Sequence, residues 1–161
     1  MMNYVGVSTT NAATSRFIRW LTGSTVSHSF LAFTAVGKTW ILQAEWNGII
    51  ITPIDRFQAQ NTIVLMVPII ELTDEHMAHS MESLGTPYDY TGLFGAAIPL
   101  IGRWFKKKWI NPFNSSKALF CSEMVAGTLK EAGLLLSSVS PPDTTPEDIR
   151  AILTQYLLRK P

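Results

Sequence analysis

The apolar residues of this chain change their period between its two halves. Through the first 70 residues they alternate with polar ones, or run in short blocks bounded by turn residues, which is the mark of strands. Tyr4–Val7 reads as a short strand. Ser27–Val36 reads as another, with His28, Phe30 and Ala32 on one face and Ser29, Leu31 and Phe33 on the other. Gly37-Lys38 makes a turn into a strand over Trp40–Glu45, and Asn47-Gly48 is a hairpin signal leading to Ile49–Thr52. Asp55–Ala59 reads as a helical turn, and Thr62–Val67 as a strand that ends at Pro68. One helix interrupts this series: Asn11 as cap, Phe17, Trp20 and Leu21 at i, i+3 and i+4, and Gly23 as stop predict a helix through Leu21. The strands together predict a meandering antiparallel sheet.

Beyond residue 70 the period becomes helical. Thr73 caps a predicted helix to Leu84, with Leu72 and Met77 placed as a hydrophobic staple and Gly85 as its stop. Met77, Met81 and Leu84 form its core stripe. Cys121–Ala132 is a second helix, with Met124, Val125, Thr128, Leu129 and Ala132 on one side and Gly133 after it. Thr145-Pro146-Glu147-Asp148 opens the last, with proline at the first position and two acids at the positive end of the dipole. Its apolar positions are Ile149, Ile152, Leu153, Tyr156 and Leu157. Strands followed by segregated helices predict an α+β fold, an antiparallel sheet from the N-terminal half packed against helices from the C-terminal half.

Composition narrows the function classes. With 161 residues the chain suits a single domain, spanning residues 1–161. Thirteen basic and twelve acidic side chains leave a charge of +1, which excludes a nucleic-acid binder that relies on bulk charge. Met1 to Thr14 lacks the basic and apolar regions of a secretory signal. The most apolar stretch, Gly92 to Ile101, is about half the ~20 residues of a membrane span and contains Pro99. A soluble protein with no transmembrane helix is expected, cytoplasmic or of unassigned location. No cofactor signature is present.

A single cysteine excludes an internal disulfide and a thiolate zinc cage. Cys121 sits where a helix is predicted to start, and unpaired N–H groups there stabilise a thiolate or an oxyanion. The alternative is a buried apolar residue, the common fate of a free cysteine. A thiol nucleophile needs a base. His76 and His79 share a helix at i, i+3 with Asp74 and Glu75 nearby, but no further ligand set accompanies them, so a solvated face is expected and no metal. His28 lies on a strand in an apolar context between Ser27 and Ser29. Gln43 and Glu45, two apart on the next strand, share a face; if the strands pair, either residue is placed to orient the imidazole.

The order of histidine strand, polar-residue strand and cysteine-first helix resembles the circularly permuted papain-like hydrolases related to the NlpC-type cell-wall peptidases. It is most similar to their YiiX-like branch, with the lecithin retinol acyltransferase group as more distant kin. The segments that carry the resemblance are Thr22-Gly23-Ser24-Thr25-Val26-Ser27-His28-Ser29-Phe30, Ile41-Leu42-Gln43-Ala44, Ile51-Thr52-Pro53-Ile54, Pro87-Tyr88-Asp89-Tyr90, Phe120-Cys121-Ser122-Glu123-Met124-Val125, and Asp143-Thr144-Thr145-Pro146-Glu147-Asp148-Ile149. Phe-Cys-Ser-Glu ahead of a helix is the most specific. The resemblance implies a permuted papain-like domain with Cys121 as nucleophile and His28 as general base. It implies a thioester mechanism on an amide or ester, in a peptidase, amidase or lipid acyltransferase. The branch usually has glutamate where this chain has Gln43, which leaves Gln43 and Glu45 as alternatives for the third residue. Tyr88 stands where the family carries a tyrosine near the site, and is either an oxyanion contact or a packed aromatic.

Two further readings stay open on the residues alone. Leu93 to Trp109 joins apolar residues to Arg103, Trp104, Phe105, Lys106, Lys107, Lys108 and Trp109, a composition suited to a peripheral membrane contact or to a core helix with a basic loop. The rival to catalysis is a non-catalytic interaction module on the papain-like scaffold, and Gln43 is the residue that sustains it.

Overall fold

In a computed structural model, residues 2–45, 47–86, 121–135 and 140–159 are described. Among the described residues there are five strands: β1 (Asn3–Thr9), β2 (His28–Ala35), β3 (Lys38–Glu45), β4 (Gly48–Pro53) and β5 (Thr62–Pro68). The helices are α1 (Ala13–Thr22), α2 (Ile54–Gln58), α3 (Asp74–Met81), α4 (Cys121–Glu131) and α5 (Pro146–Arg159), with a 3-10 turn at Pro141–Asp143. The strands form one antiparallel sheet in the order β4-β3-β2-β1-β5. The architecture is α+β, as the strand and helix periods predict. The meander holds through four strands. The fifth crosses back to the far side of β1, so the strand predicted over Tyr4–Val7 is an interior strand flanked by two partners.

Period-two alternation divides the core between the faces of the sheet. Val5, Val7, Leu31, Phe33, Leu42 and Val67 pack with Met77 of α3, Val125 and Leu129 of α4, and Ile149 and Leu153 of α5. On the other face Phe30, Ala32 and Ile41 meet Phe57 of the short α2. The Phe30 and Phe57 rings lie 4.9 Å apart at a tilt of 59°. Gly6 is the cross-strand partner of Phe30 and provides the floor for its ring. A Cβ at residue 6 would stand 2.2 Å from Phe30 Cζ, so only glycine fits without moving the ring.

The helix ends follow their chemistry. Thr73 and His76 form a capping box, with Leu72 and Met77 buried as its staple. Thr145 and Asp148 cap α5 in the same reciprocal manner. Gly23 and Gly133 follow α1 and α4 with φ of 63° and 72°, the left-handed turn where glycine is favoured. Three expectations need correction. Asn11 does not cap α1: the cap position is Ala12, with no side-chain hydrogen bond, and Ser15 instead holds Thr10 by its N–H and carbonyl. The helix expected to reach Leu84 ends at Met81, which leaves Leu84 exposed in the turn that follows, and Leu157 is exposed near the end of α5. Phe17 and Trp20 are exposed as well. No helix of the described residues is long and apolar enough to cross a membrane.

Two outcomes test this packing. Gly6→Ala should lower stability by about 1–3 kcal/mol through overpacking against Phe30, read by urea unfolding; an unchanged midpoint would show that the ring has room to move. Glu147 is the second. Its carboxylate accepts from Arg150 and from Ser24 Oγ at 2.5 Å, joining the start of α5 to the loop after α1. The Arg150 hydrogen bond holds it below the ordinary carboxylate value of about 4.5; burial opposes this, and the Ser24 hydrogen bond and the attraction of Arg150 add to the lowering. A depressed carboxyl contributes stability above its unfolded value, and that contribution is lost as pH falls through the folded one. The stability gap between wild type and Glu147→Gln should therefore close as pH drops below about 4.5; thermal melts showing a gap independent of pH would refute the assignment.

Candidate functional site

The β2–β3 ladder runs from Ala35↔Lys38 to Leu31↔Leu42 and stops there. Past that point Phe30, Ser29 and His28 pair only with β1, while Gln43, Ala44 and Glu45 pair only with β4. The sheet therefore opens between two strands that remain supported on their outer sides. The predicted site residues gather at this opening. His28 and Gln43 face each other across it, with His28 Nε2 and Gln43 Oε1 3.0 Å apart. Gln43 Nε2 donates in turn to Glu45 Oε1 at 2.7 Å.

These two bonds fix the protonation pattern of the imidazole. A carboxylate only accepts, so the amide nitrogen of Gln43 must be the end that points to Glu45. The amide oxygen then points to His28, and an oxygen acceptor requires Nε2 to carry the hydrogen. Nδ1 is left as the ring nitrogen free to take a proton. Gln43 is buried, and both ends of its amide are satisfied, so rotation would break two hydrogen bonds at once. The Phe57 ring holds the imidazole from the side, with centroids 6.2 Å apart.

Cys121 is the first residue of α4 and is buried in the main core against β2. The Cys121 thiol and the His28 imidazole lie close enough to act on each other's charge. Burial opposes charge on both groups, and their mutual attraction outweighs it. The Cys121 thiol is held below its ordinary value and the His28 imidazole above its own. Gln43 and the Glu45 charge add to the rise at His28. The Ser29 N–H, beyond the end of the ladder, also favours the thiolate. The Ser29 hydroxyl also faces the sulfur and favours the thiolate, yet it has no hydrogen bond of ordinary geometry and is fully buried. Ser122 Oγ donates to the Thr144 carbonyl at 2.5 Å, which ties the first turn of α4 to the segment that leads into α5.

Cys121, His28, Gln43 and Glu45 thus come together, and Gln43 and Glu45 act in series where the sequence left them as alternatives. Tyr88 and the segment from Leu93 to Trp109 lie outside the described residues. Ser29 and Phe57 were not anticipated. Ser29 had a signal, as a polar position on the face that carries Leu31 and Phe33; Phe57 had none, because its place beside His28 depends on the fold. His76 and His79 stand apart from the site. His76 serves the α3 capping box, and His79 lies 3.3 Å from Glu131 and 3.7 Å from Glu82 on an exposed surface. Among the described residues no group of three or more metal-ligating side chains is present. Compared with models of known protein families and with curated proteins, the chain matches none.

Replacing Glu45 by alanine removes the acceptor that sets the Gln43 amide. The Cys121 thiol should then titrate higher, with about a tenfold loss of thiolate at neutral pH for each pKa unit of movement. The rate of iodoacetamide labelling across pH reads this shift. A Glu45→Ala profile that overlays wild type would remove Glu45 from the arrangement.

Proposed function

We propose that this chain is a cysteine-dependent hydrolase or acyltransferase that acts on an amide or ester through a thioester. The observation that carries this reading is a helix-start thiol in contact with a histidine whose other ring nitrogen is held by an amide and a carboxylate in series. The arrangement agrees with a permuted papain-like scaffold, in which the histidine strand precedes the cysteine helix.

His28 Nδ1 takes the proton of Cys121, and the thiolate attacks the carbonyl carbon of the substrate. The oxyanion that forms is stabilised by N–H groups at the start of α4, where the helix has no partners of its own for them. The carbon–leaving-group bond breaks as the His28 imidazolium protonates the departing amine or alkoxide. Water, or the hydroxyl or amine of a second substrate, then gives a proton to His28 and attacks the thioester, releasing the acyl group and restoring the thiol. Gln43 holds the imidazole in the tautomer this sequence needs. Glu45 supplies, through that amide, the negative charge that a directly bonded carboxylate would otherwise give to the imidazolium. Gln43 is therefore compatible with catalysis, and the reason for reading the chain as an inert scaffold is weakened. The substrate is a peptide, small acyl or lipid acyl compound, and Tyr88 is assigned to the oxyanion side by family resemblance.

Acyl-enzyme trapping is the direct test. Incubation with activated acyl esters of short and long chain, followed by acid quench and intact-mass measurement, should show one acyl adduct on the wild type. Hydroxylamine should remove it, and Cys121→Ser should show none that hydroxylamine removes. His28→Ala should form the adduct about 10²–10⁴-fold more slowly, the usual contribution of a positioned base. If wild type and Cys121→Ser acylate at equal rates, the proposal fails.

A further inference from the structure

Helix α1 is amphipathic, and two of its polar side chains fasten it to the sheet. Ser15 is buried and its hydroxyl lies 2.5 Å from that of Ser27, the residue before His28. Arg19 Nη1 donates to Thr9 Oγ1 at 2.7 Å, at the end of β1. Those bonds turn the opposite face to solvent. Residues 13, 17 and 20 fall on one arc of a helix at 100° per residue, and all three are exposed. Phe17 is 41% and Trp20 74% exposed, and their rings lie 6.2 Å apart. Together with Ala13, Arg16 and Arg19 they line a shallow depression on the surface. A soluble domain ordinarily turns such a face inward, and here the sequence has used hydrogen bonds to prevent it.

The charged side chains that line this depression are all basic. The first 44 residues contain no aspartate or glutamate, and Arg16 and Arg19 lie beside the two rings. A tryptophan and a phenylalanine flanked by arginines match the headgroup level of an anionic bilayer, where the rings sit at the acyl boundary and the guanidinium groups meet lipid phosphate. A two-fold contact with a second copy would instead bring Arg16 and Arg19 against their own counterparts.

We propose that the exposed face of α1 is a docking surface for anionic lipid membranes, with Phe17 and Trp20 as the inserted side chains, Arg16 as the headgroup contact and the Arg19 charge at its rim. The surface rests on the mounting of α1 and is independent of the thiol chemistry. Because α1 is fastened to Ser27 and Thr9, docking holds the His28 end of the sheet toward the lipid.

The test uses the full chain and sedimentation with sucrose-loaded vesicles of phosphatidylcholine alone or with phosphatidylserine. Binding should favour the anionic vesicles and weaken in high salt. Phe17→Ser/Trp20→Ser should lower partitioning about tenfold or more, since two buried aromatic contacts are lost. Thermal stability and Cys121 alkylation should stay unchanged in that variant, because neither side chain supports the core or the site. Arg16→Gln should lower binding to anionic vesicles only. Equal binding of wild type and the double variant overturns the proposal, as does equal binding to neutral and anionic vesicles. A wild-type dimer in light scattering that the double variant dissolves would assign the face to a second copy and overturn it too.

Discussion

A carboxylate has no hydrogen to donate, and the candidate site is organised by that constraint. Glu45 forces the orientation of Gln43, Gln43 forces the tautomer of His28, and the tautomer leaves one ring nitrogen for the thiol of Cys121. Each step is a choice between two states, and each is settled by the group before it. A glutamine in a buried position is expensive unless all its polar atoms are partnered. Here the partners are the two groups whose relation matters.

The fold provides the place where this chain of bonds can exist. Had the β2–β3 ladder continued past Leu31↔Leu42, the backbone groups of residues 28–30 and 43–45 would be paired with one another. By stopping there, with β1 and β4 still holding the outer sides, the sheet makes room for side chains from both strands and for the first turn of α4. The Ser29 N–H is then free of a β3 partner and favours the Cys121 thiolate. The rigidity needed around such an opening comes from both faces: Gly6, Phe30 and Phe57 on one, and the Val125, Leu129 and Ile149 core on the other.

Much of this was legible in the sequence, residue by residue. Period-two alternation placed Gln43 and Glu45 on one face, and the helical period of Cys121–Ala132 placed Cys121 at a helix start. What alternation cannot state is where a ladder stops, since that depends on which neighbours each strand keeps. Gln43 and Glu45 therefore read as competitors, although they form one chain. The crossing of β5 to the far side of β1 was invisible for the same reason: pairing between distant segments leaves no local period. Helix α1 is the opposite case. Its period was clear, but the side that faces inward is decided by Ser15 and Arg19 finding Ser27 and Thr9, and a helical wheel assumes that apolar residues go inside.

The central claim is that Cys121 carries a lowered thiol pKa because of His28. The thiolate absorbance near 240 nm, taken as wild type minus Cys121→Ser across pH, measures it directly. The thiolate should be present well below the ordinary thiol value of about 8.5, and His28→Ala should move the transition back up toward it. A wild-type thiol that stays protonated up to its ordinary value, with no change on removing His28, would contradict the account.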